Sequence, residues 1–362
     1  MKIAEYQDAA IAFANFNANR QNLGTDKITV EAVGHGLINH SYKVTSESSP
    51  SFLLQQINKK IFKRPQDVQE NYLNIWQYAE FEFTGLNLPA PFYCDKKTTL
   101  FVDQNENYWR AFEFIADSTT LNIAKKPQQA KAAAKAFAKF TAAFSDFNVD
   151  QLKTIIPDFH NLSFRYEEME QAEKGDLYER IAKAQSMICE LKDRERYRHF
   201  YEIITNSTEF PLRVMHHDAK ISNVLFSQTT GRVICLVDLD TVMPGYFFSD
   251  LGDMIRSMAV NHNEDYLHFE KIQIRKKYYE AIINGYLSVM DKHLTDSEKK
   301  YIHYAGLLMV YMQALRFITD FMLGGIYYKV EYKCQNFDRA LNQLTLLKRL
   351  EEFLKAQYDV KL

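Results

Sequence analysis

The sequence predicts an α+β chain of two lobes, a small β-rich lobe followed by a large, mainly helical one. Three observations lead to this. The first ~115 residues alternate apolar and polar side chains and are rich in β-branched types, as half-buried strands are. From Lys126 onward apolar residues recur at helical spacing. A chain of 362 residues is too long for one ordinary core and suits two. The expected lobes are residues 1–115 and 116–362.

In chain order, strands are expected at Ile28 to Val33, Ser41 to Thr45, Phe52 to Ile57, Thr99 to Val102 and Tyr108 to Phe114. One helix, Pro65 to Phe81, interrupts them, with proline in its first turn, where a missing N–H costs nothing. After Lys126, the stripe Ala133, Phe137, Phe140 and Phe144 lies on one helical face and reads as core. Ser163 to Tyr201 is charged and amphipathic. Strands return between Val214 and Asp238, and helices resume over Tyr266 to Met290, Ser297 to Leu323 and Asn336 to Ala356.

Bulk properties exclude several classes. Apolar residues make up 46 %, enough to fill two cores, and a net charge of −2 provides no basic field for nucleic acid. Cys94, Cys189, Cys235 and Cys334 are scattered, with no C-x-x-C. With an N-terminus unlike a secretion signal, they point to a reducing cytoplasm. No run approaches the ~18 apolar residues of a membrane span. The oligomeric state is left open.

The chemistry is concentrated in two stretches. Val214 to Phe226 contains His216-His217-Asp218, then Asn223 after four residues. Val233 to Val237 is an apolar run that ends in Asp238, with Asp240 close behind. Together they look like the catalytic loop and metal aspartate of a kinase-like phosphotransferase. Phosphoryl transfer from ATP needs an acceptor hydroxyl held in line and cations that offset phosphate charge. Asp218 can accept the hydroxyl proton, while Asn223 and Asp238 offer oxygen to Mg²⁺, which prefers such ligands. His216 and His217 have no other His or Cys at zinc-ligand spacing, and at least one is expected to pack under the loop. Gly34-His35-Gly36-Leu37-Ile38-Asn39 joins the first two strands, where glycine lets backbone lie close over phosphates. The order of the lobes, small and β-rich before large and helical, and these residues together point to a two-lobed protein-kinase-like fold.

With these residues identified, the chain resembles the aminoglycoside phosphotransferase and choline kinase superfamily, and within it the N-acetylhexosamine 1-kinases. The resemblance covers nearly the whole chain. It rests on Gly34 to Asn39, Leu53 to Asn58, Trp109-Arg110 with Phe112 to Ile115, and Ile156 to His160. It also rests on His217 to Phe226, Asp238 to Gly245, Asp250 to Asp253 and Leu315 to Asp320. The run Asp238-Leu239-Asp240-Thr241-Val242-Met243-Pro244-Gly245 is the most specific of these.

The resemblance implies a cytoplasmic, ATP- and Mg²⁺-dependent kinase acting on the C1 hydroxyl of a small sugar, GlcNAc or GalNAc, with no nucleic-acid or membrane partner. Asp218 would be the base, and Asn223, Asp238 and Asp240 the metal residues, although Asp240 could instead shape the loop. Gly34, Gly36, Asn39, Gln55, Glu113 and Ile115 would take the nucleotide. His35, Lys220, Arg316 and Tyr328, or its neighbour Tyr327, would take the acceptor. Arg316 could equally pair with Asp320 one helical turn away. The third strand carries Gln55 and Gln56 where protein kinases carry a lysine. Lys43, Lys220 or backbone amides would then hold the phosphates, and the role of Glu70 is open. Rival readings are a kinase for an aminoglycoside, choline, homoserine or methylthioribose, and a non-catalytic pseudokinase.

Overall fold

The structure, a computed structural model, describes residues 8–9, 11–13, 16, 29–33, 38–45, 51–82, 85–95, 97–175 and 177–361. The chain forms two compact units. The first comprises Met1–Thr119, Phe147–Ile156 and Leu225–Met243, and the second Thr120–Asp146, Pro157–Val224 and Pro244–Leu362.

The first unit is built on a five-stranded antiparallel sheet. Its strands are β1 (Thr29–Ala32), β2 (His40–Thr45), β3 (Phe52–Ile57), β4 (Phe101–Val102) and β5 (Tyr108–Glu113), in the order β1-β2-β3-β5-β4. Alternation sets the register: Tyr42 and Val44 of β2 and Phe52 and Leu54 of β3 point into a core with Phe13, Phe16, Trp109 and Ala111. These strands match the expected ones, except that the fourth is only two residues long and Ile28 lies outside the described residues. Helix α1 (Pro65–Phe81) has proline in its first turn and buries Val68, Tyr72, Ile75 and Ala79 along one face.

Asn71 of α1 explains why two distant segments join this unit. Its buried amide Nδ2 donates to Lys153 O (2.8 Å) and Val242 O (2.9 Å), and its Oδ1 accepts from Lys153 N (2.7 Å). A buried amide left unsatisfied would be costly, so these three bonds fix 147–156 and 225–243 against the helix. A smaller sheet adds β6 (Ser118–Thr119), β8 (Val224–Ser227) and β9 (Val233–Leu236) in the order β6-β8-β9.

The second unit is helical apart from β7 (Arg213–Met215) and the end of β10 (Met243–Gly245). Its helices are α2 (Pro127–Ala143), α3 (Leu162–Glu173), α4 (Tyr178–Lys192), α5 (Arg196–Thr205), α6 (Phe248–Met258), α7 (Lys276–Met290), α8 (Asp296–Lys300), α9 (Tyr304–Met322) and α10 (Gln335–Tyr358). Helix α9 is buried on almost every side, as its near-continuous apolar sequence requires. Helix α6 crosses it at close range. A Cβ on Gly252 would stand 2.4 Å from Ala305 O, and one on Gly306 2.7 Å from Ile255 Cγ2.

Three expectations are corrected here. Helix α6 was not anticipated, because Gly252 within a short Asp-rich run resembles a break; the glycine instead meets a packing need. Ser297 to Leu323 is two helices, not one. Helix α8 opens on a capping box in which Thr295 Oγ1 accepts from Glu298 N (3.1 Å) and Glu298 Oε2 from Thr295 N (2.9 Å). It stops at Lys300, where the turn lets Tyr301 and Tyr304 both pack on Phe200, 4.8 Å between ring centres. The expected start of α7 at Tyr266 moves to Lys276, residues 266–275 being irregular apart from one short turn.

Candidate active site

The loop between β7 and β8 carries the strongest sequence signal. Asp218 and Asn223 are brought together within it. Asn223 Nδ2 donates to the Asp218 carboxylate (2.8 Å) and to its main-chain oxygen (2.9 Å). Lys220 Nζ stands 2.8 Å from the same carboxylate. Burial pushes the Asp218 carboxyl upward, but the Lys220 charge and hydrogen bond, His216 and Asn223 outweigh it and hold it below the usual carboxylate range. Asp218 is therefore ionised at neutral pH, as a base must be. Because Asn223 spends its nitrogen on Asp218, the atom it can offer a cation is its oxygen.

The loop is fixed from beneath by α6. Asp250, in the first turn of that helix, accepts the amide N–H of His216 (2.9 Å) and of His217 (2.7 Å) on its two oxygens. The carboxylate is buried, which pushes its pKa up to about 6 despite these bonds. The His216 ring is fully buried and packs edge-on against Phe137, 5.2 Å between ring centres, and Asp218 N donates to its Nδ1 (3.3 Å). His216 thus has the packing role expected of at least one of the two histidines.

His217 has a left-handed backbone, φ 64°, which side-chain-bearing residues seldom adopt. Its ring enters a polar cluster. Nδ1 lies 2.7 Å from Ser249 Oγ and 3.1 Å from His160 Nδ1, and Ser249 Oγ lies 2.6 Å from His160 Nδ1. On the other side His217 Nε2 donates to Pro244 O (3.3 Å). Gly245 is required here, because a Cβ would stand 2.5 Å from His217 Cε1. Burial, followed by the charges of His217 and Arg316, pushes the His160 pKa well down, so the His160 ring is neutral.

Arg316 emerges from α9 beside this cluster. Its guanidinium lies over Phe159 (4.9 Å to the ring centre), and Phe159 stacks on His160 at 4.5 Å. Tyr327 and Tyr328 flank it at 5.5 Å each, Gln313 Oε1 accepts from its NH1 (3.2 Å), and Gln313 Nε2 donates to Tyr328 OH (3.2 Å). The alternative pairing with Asp320 is not found. That carboxylate instead accepts backbone N–H groups from Ile326 (3.0 Å), Tyr327 (2.8 Å) and Tyr328 (3.1 Å), and the Asn336 amide (2.6 Å).

In the first unit, Asp238 follows β9 by two residues and also has a left-handed backbone, φ 62°. Asp240 next to it is buried. Its carboxylate is paired with the equally buried Arg110 and accepts from Asn39 Nδ2 (2.5 Å). Arg110 also donates through Nε (3.1 Å) and NH2 (2.9 Å) to Gln55 Oε1, and Gln55 Nε2 donates to Ser41 Oγ (3.0 Å). Asn39 Oδ1 accepts from Asn58 N (3.0 Å). Asn39, Gln55 and Asp240, expected at nucleotide and metal, are thus joined in one network centred on the buried Arg110. In the sequence Arg110 stands out only as part of the Trp109-Arg110 motif.

The remaining candidates are placed as follows. Gly34, His35 and Gly36 lie outside the described residues. Glu113 ends β5 beside Cys235, whose thiol burial pushes up to about 12, with Glu113 adding to the rise. Ile115 O accepts from Ser118 Oγ (2.6 Å). The Lys43 ammonium lies over the Phe114 ring, and Glu70 pairs with Lys153 (3.4 Å). Among the described residues no group of three or more His, Cys, Asp or Glu side chains is gathered for a metal. A hard cation takes oxygen ligands and can draw most of them from phosphate and water. His160, Ser249, Asp250 and Gly245 were missed as site residues, although all but Ser249 lie in motifs on which the resemblance rests.

Three solved structures share the fold over nearly the whole length. They are an aminoglycoside phosphotransferase from Alicyclobacillus acidocaldarius, a choline kinase from Cryptosporidium parvum, and the amicoumacin kinase hAmiN in complex with AMP-PNP, Ca²⁺ and Ami. Their identities to this chain are 13, 16 and 13 % and their TM-scores 0.58, 0.55 and 0.59. The matches cover 91, 97 and 99 % of this chain and 90, 97 and 97 % of those chains. The fold is kinase-like, with an antiparallel N-terminal sheet and a helical C-terminal region, as the sequence predicted. Residues 29–290, which include the loop of Asp218 and Asn223, the Asp238 turn and the Asp250 helix, match the phosphotransferase enzyme family APH, and the chain belongs to that family.

Proposed function

We propose that this phosphotransferase is an ATP- and Mg²⁺-dependent small-molecule kinase that phosphorylates the C1 hydroxyl of an N-acetylhexosamine. The observation that carries the kinase reading is the Asp218 carboxylate, kept ionised by Lys220 and oriented by Asn223. Asp218 takes the proton of the acceptor hydroxyl as its oxygen bonds the γ-phosphorus and ADP leaves. The side chains that would hold the metal are Asn223 and Asp238. The cation's contribution when bound is to offset charge on the phosphates. A similar structure that carries AMP-PNP and Ca²⁺ supports nucleotide and divalent-metal use. Asp240, with its oxygens engaged by Arg110 and Asn39, then acts as a brace for the Asp238 turn and not as a ligand.

The sugar reading rests on the resemblance of the Asp238 to Gly245 run. Arg316, Gln313 and Tyr328 support it, a polar set with an aromatic face of the kind a neutral sugar needs. The test is a panel of GlcNAc, GalNAc, choline, an aminoglycoside and their C1-blocked sugar analogues, scored for ADP release with MgATP. Phosphorus–proton NMR coupling to the anomeric proton is the expected result. Coupling to the C6 protons, or full activity on a C1-methylated sugar, would overturn the anomeric assignment.

A further inference from the structure

We infer that His160, Ser249 and His217 form a positioning set that locks the left-handed turn ahead of Asp218, and so aims that carboxylate at the acceptor. This rests on the reading of Asp218 as the base.

The hydrogen-bond polarity of the cluster can be deduced. Pro244 O can only accept, so His217 Nε2 carries a proton, and in the neutral imidazole this leaves His217 Nδ1 as an acceptor. The hydroxyl of Ser249 therefore donates to His217 Nδ1 at 2.7 Å. Having spent its proton, Ser249 Oγ accepts from His160 Nδ1–H at 2.6 Å. One chain of donors thus runs His160, Ser249, His217, Pro244, and each member fixes the next.

What the chain holds in place is the His217 backbone. At φ 64° a residue with a Cβ is under strain, and strain persists only where surroundings over-determine it. The surroundings here include the Asp250 oxygens on two successive amides, the Ser249 hydroxyl and Pro244 oxygen on the ring, and the space left by Gly245. Asp218 is the next residue, so its direction follows from this turn. Neither His160 nor Ser249 is required to touch substrate; both act through His217.

The test is kinetic and uses the whole chain, with MgATP and whichever acceptor of the panel gives the fastest ADP release. Ser249→Ala, which removes one hydroxyl, should lower kcat about 10- to 100-fold with both KM values close to wild type, the size expected of a small misplacement of a reacting group. His217→Ala should do the same, and His217→Gly should recover most of the loss, since glycine adopts the left-handed turn unaided. The double variant Ser249→Ala, His217→Ala should be no worse than either alone. Wild-type kcat in Ser249→Ala, a His217→Gly as poor as His217→Ala, or additive losses in the double variant would each overturn the proposal. Asp218→Asn separates the two readings: full activity there removes Asp218 as base, whatever the cluster variants do.

Discussion

Asp250 accepts the amide hydrogens of His216 and His217 on its two oxygens, and so a helix start holds two successive peptide units of the candidate catalytic loop. Burial raises this carboxyl to about 6, above the ~4 of an unfolded chain. The folded state therefore binds the proton more tightly. Its contribution to stability is fully present below the unfolded value and is lost as pH rises through the folded one. Asp250→Asn removes that dependence. The stability of wild type relative to the variant should be greater at pH 4.5 than at pH 7 by about 2 kcal/mol, measured by urea unfolding at both values. An equal difference at the two would mean Asp250 titrates normally.

Asp218→Asn should lower kcat by roughly 10²–10⁴-fold, the range for a lost general base. The asparagine keeps an oxygen for Asn223 and preserves shape, so the melting temperature and nucleotide affinity should change little. Stopped-time ADP assays beside nucleotide titration check this.

Asp238→Asn should raise the Mg²⁺ concentration needed for half-maximal rate at fixed ATP, because a hard cation favours a charged oxygen. Asn223→Ala should move it in the same direction by less, since water can fill the vacated position. An unchanged midpoint in Asp238→Asn would place the metal elsewhere.

Gly245→Ala should destabilise the protein by about 1–3 kcal/mol, the usual cost of overpacking. The new methyl would meet the His217 ring at 2.5 Å, and that ring is held by Ser249 and cannot turn aside freely. Thermal unfolding measures it. A wild-type melting temperature would mean the ring moves.

Arg316→Ala and Asp320→Ala should diverge. Arg316 touches Gln313, Phe159 and two tyrosines and, among the described residues, no carboxylate it would leave unpaired. Its loss should raise the acceptor KM about 10- to 100-fold, as for a charged hydrogen bond, and leave the ATP KM and melting temperature almost unchanged. Asp320→Ala removes the acceptor of three backbone amides and should cost roughly 3 kcal/mol. Parallel melting curves and two-substrate kinetics separate the pair.

What the sequence disclosed followed from local rules. The period-2 alternation of β2 and β3 and the proline opening α1 need only their own neighbours to be read. The spacing of Asp218 and Asn223 is equally local, and the structure joins them within one loop. Asp240 lies two residues from Asp238 and invites a shared duty. Its partner Arg110 sits 130 residues earlier, so the pairing could not be seen from spacing. The same holds for His160, Ser249 and His217, which converge from three separate elements, and for Gly252, whose purpose is visible only once Ala305 lies against it.

Helix α9 and the segment after it divide rigidity from variability. The helix is enclosed by other helices, so its register is fixed and Arg316 leaves it at a set point. The following residues are anchored differently: Asp320 grips Ile326, Tyr327 and Tyr328 by their main-chain N–H groups, which every residue but proline possesses. Side chains there can be exchanged while the segment keeps its path. Ile326 and Tyr327 are already largely open to solvent. On the proposed reading, in which Tyr328 meets the acceptor, a lineage or an engineer therefore has a stretch of chain whose chemistry can be rewritten without renegotiating the fold.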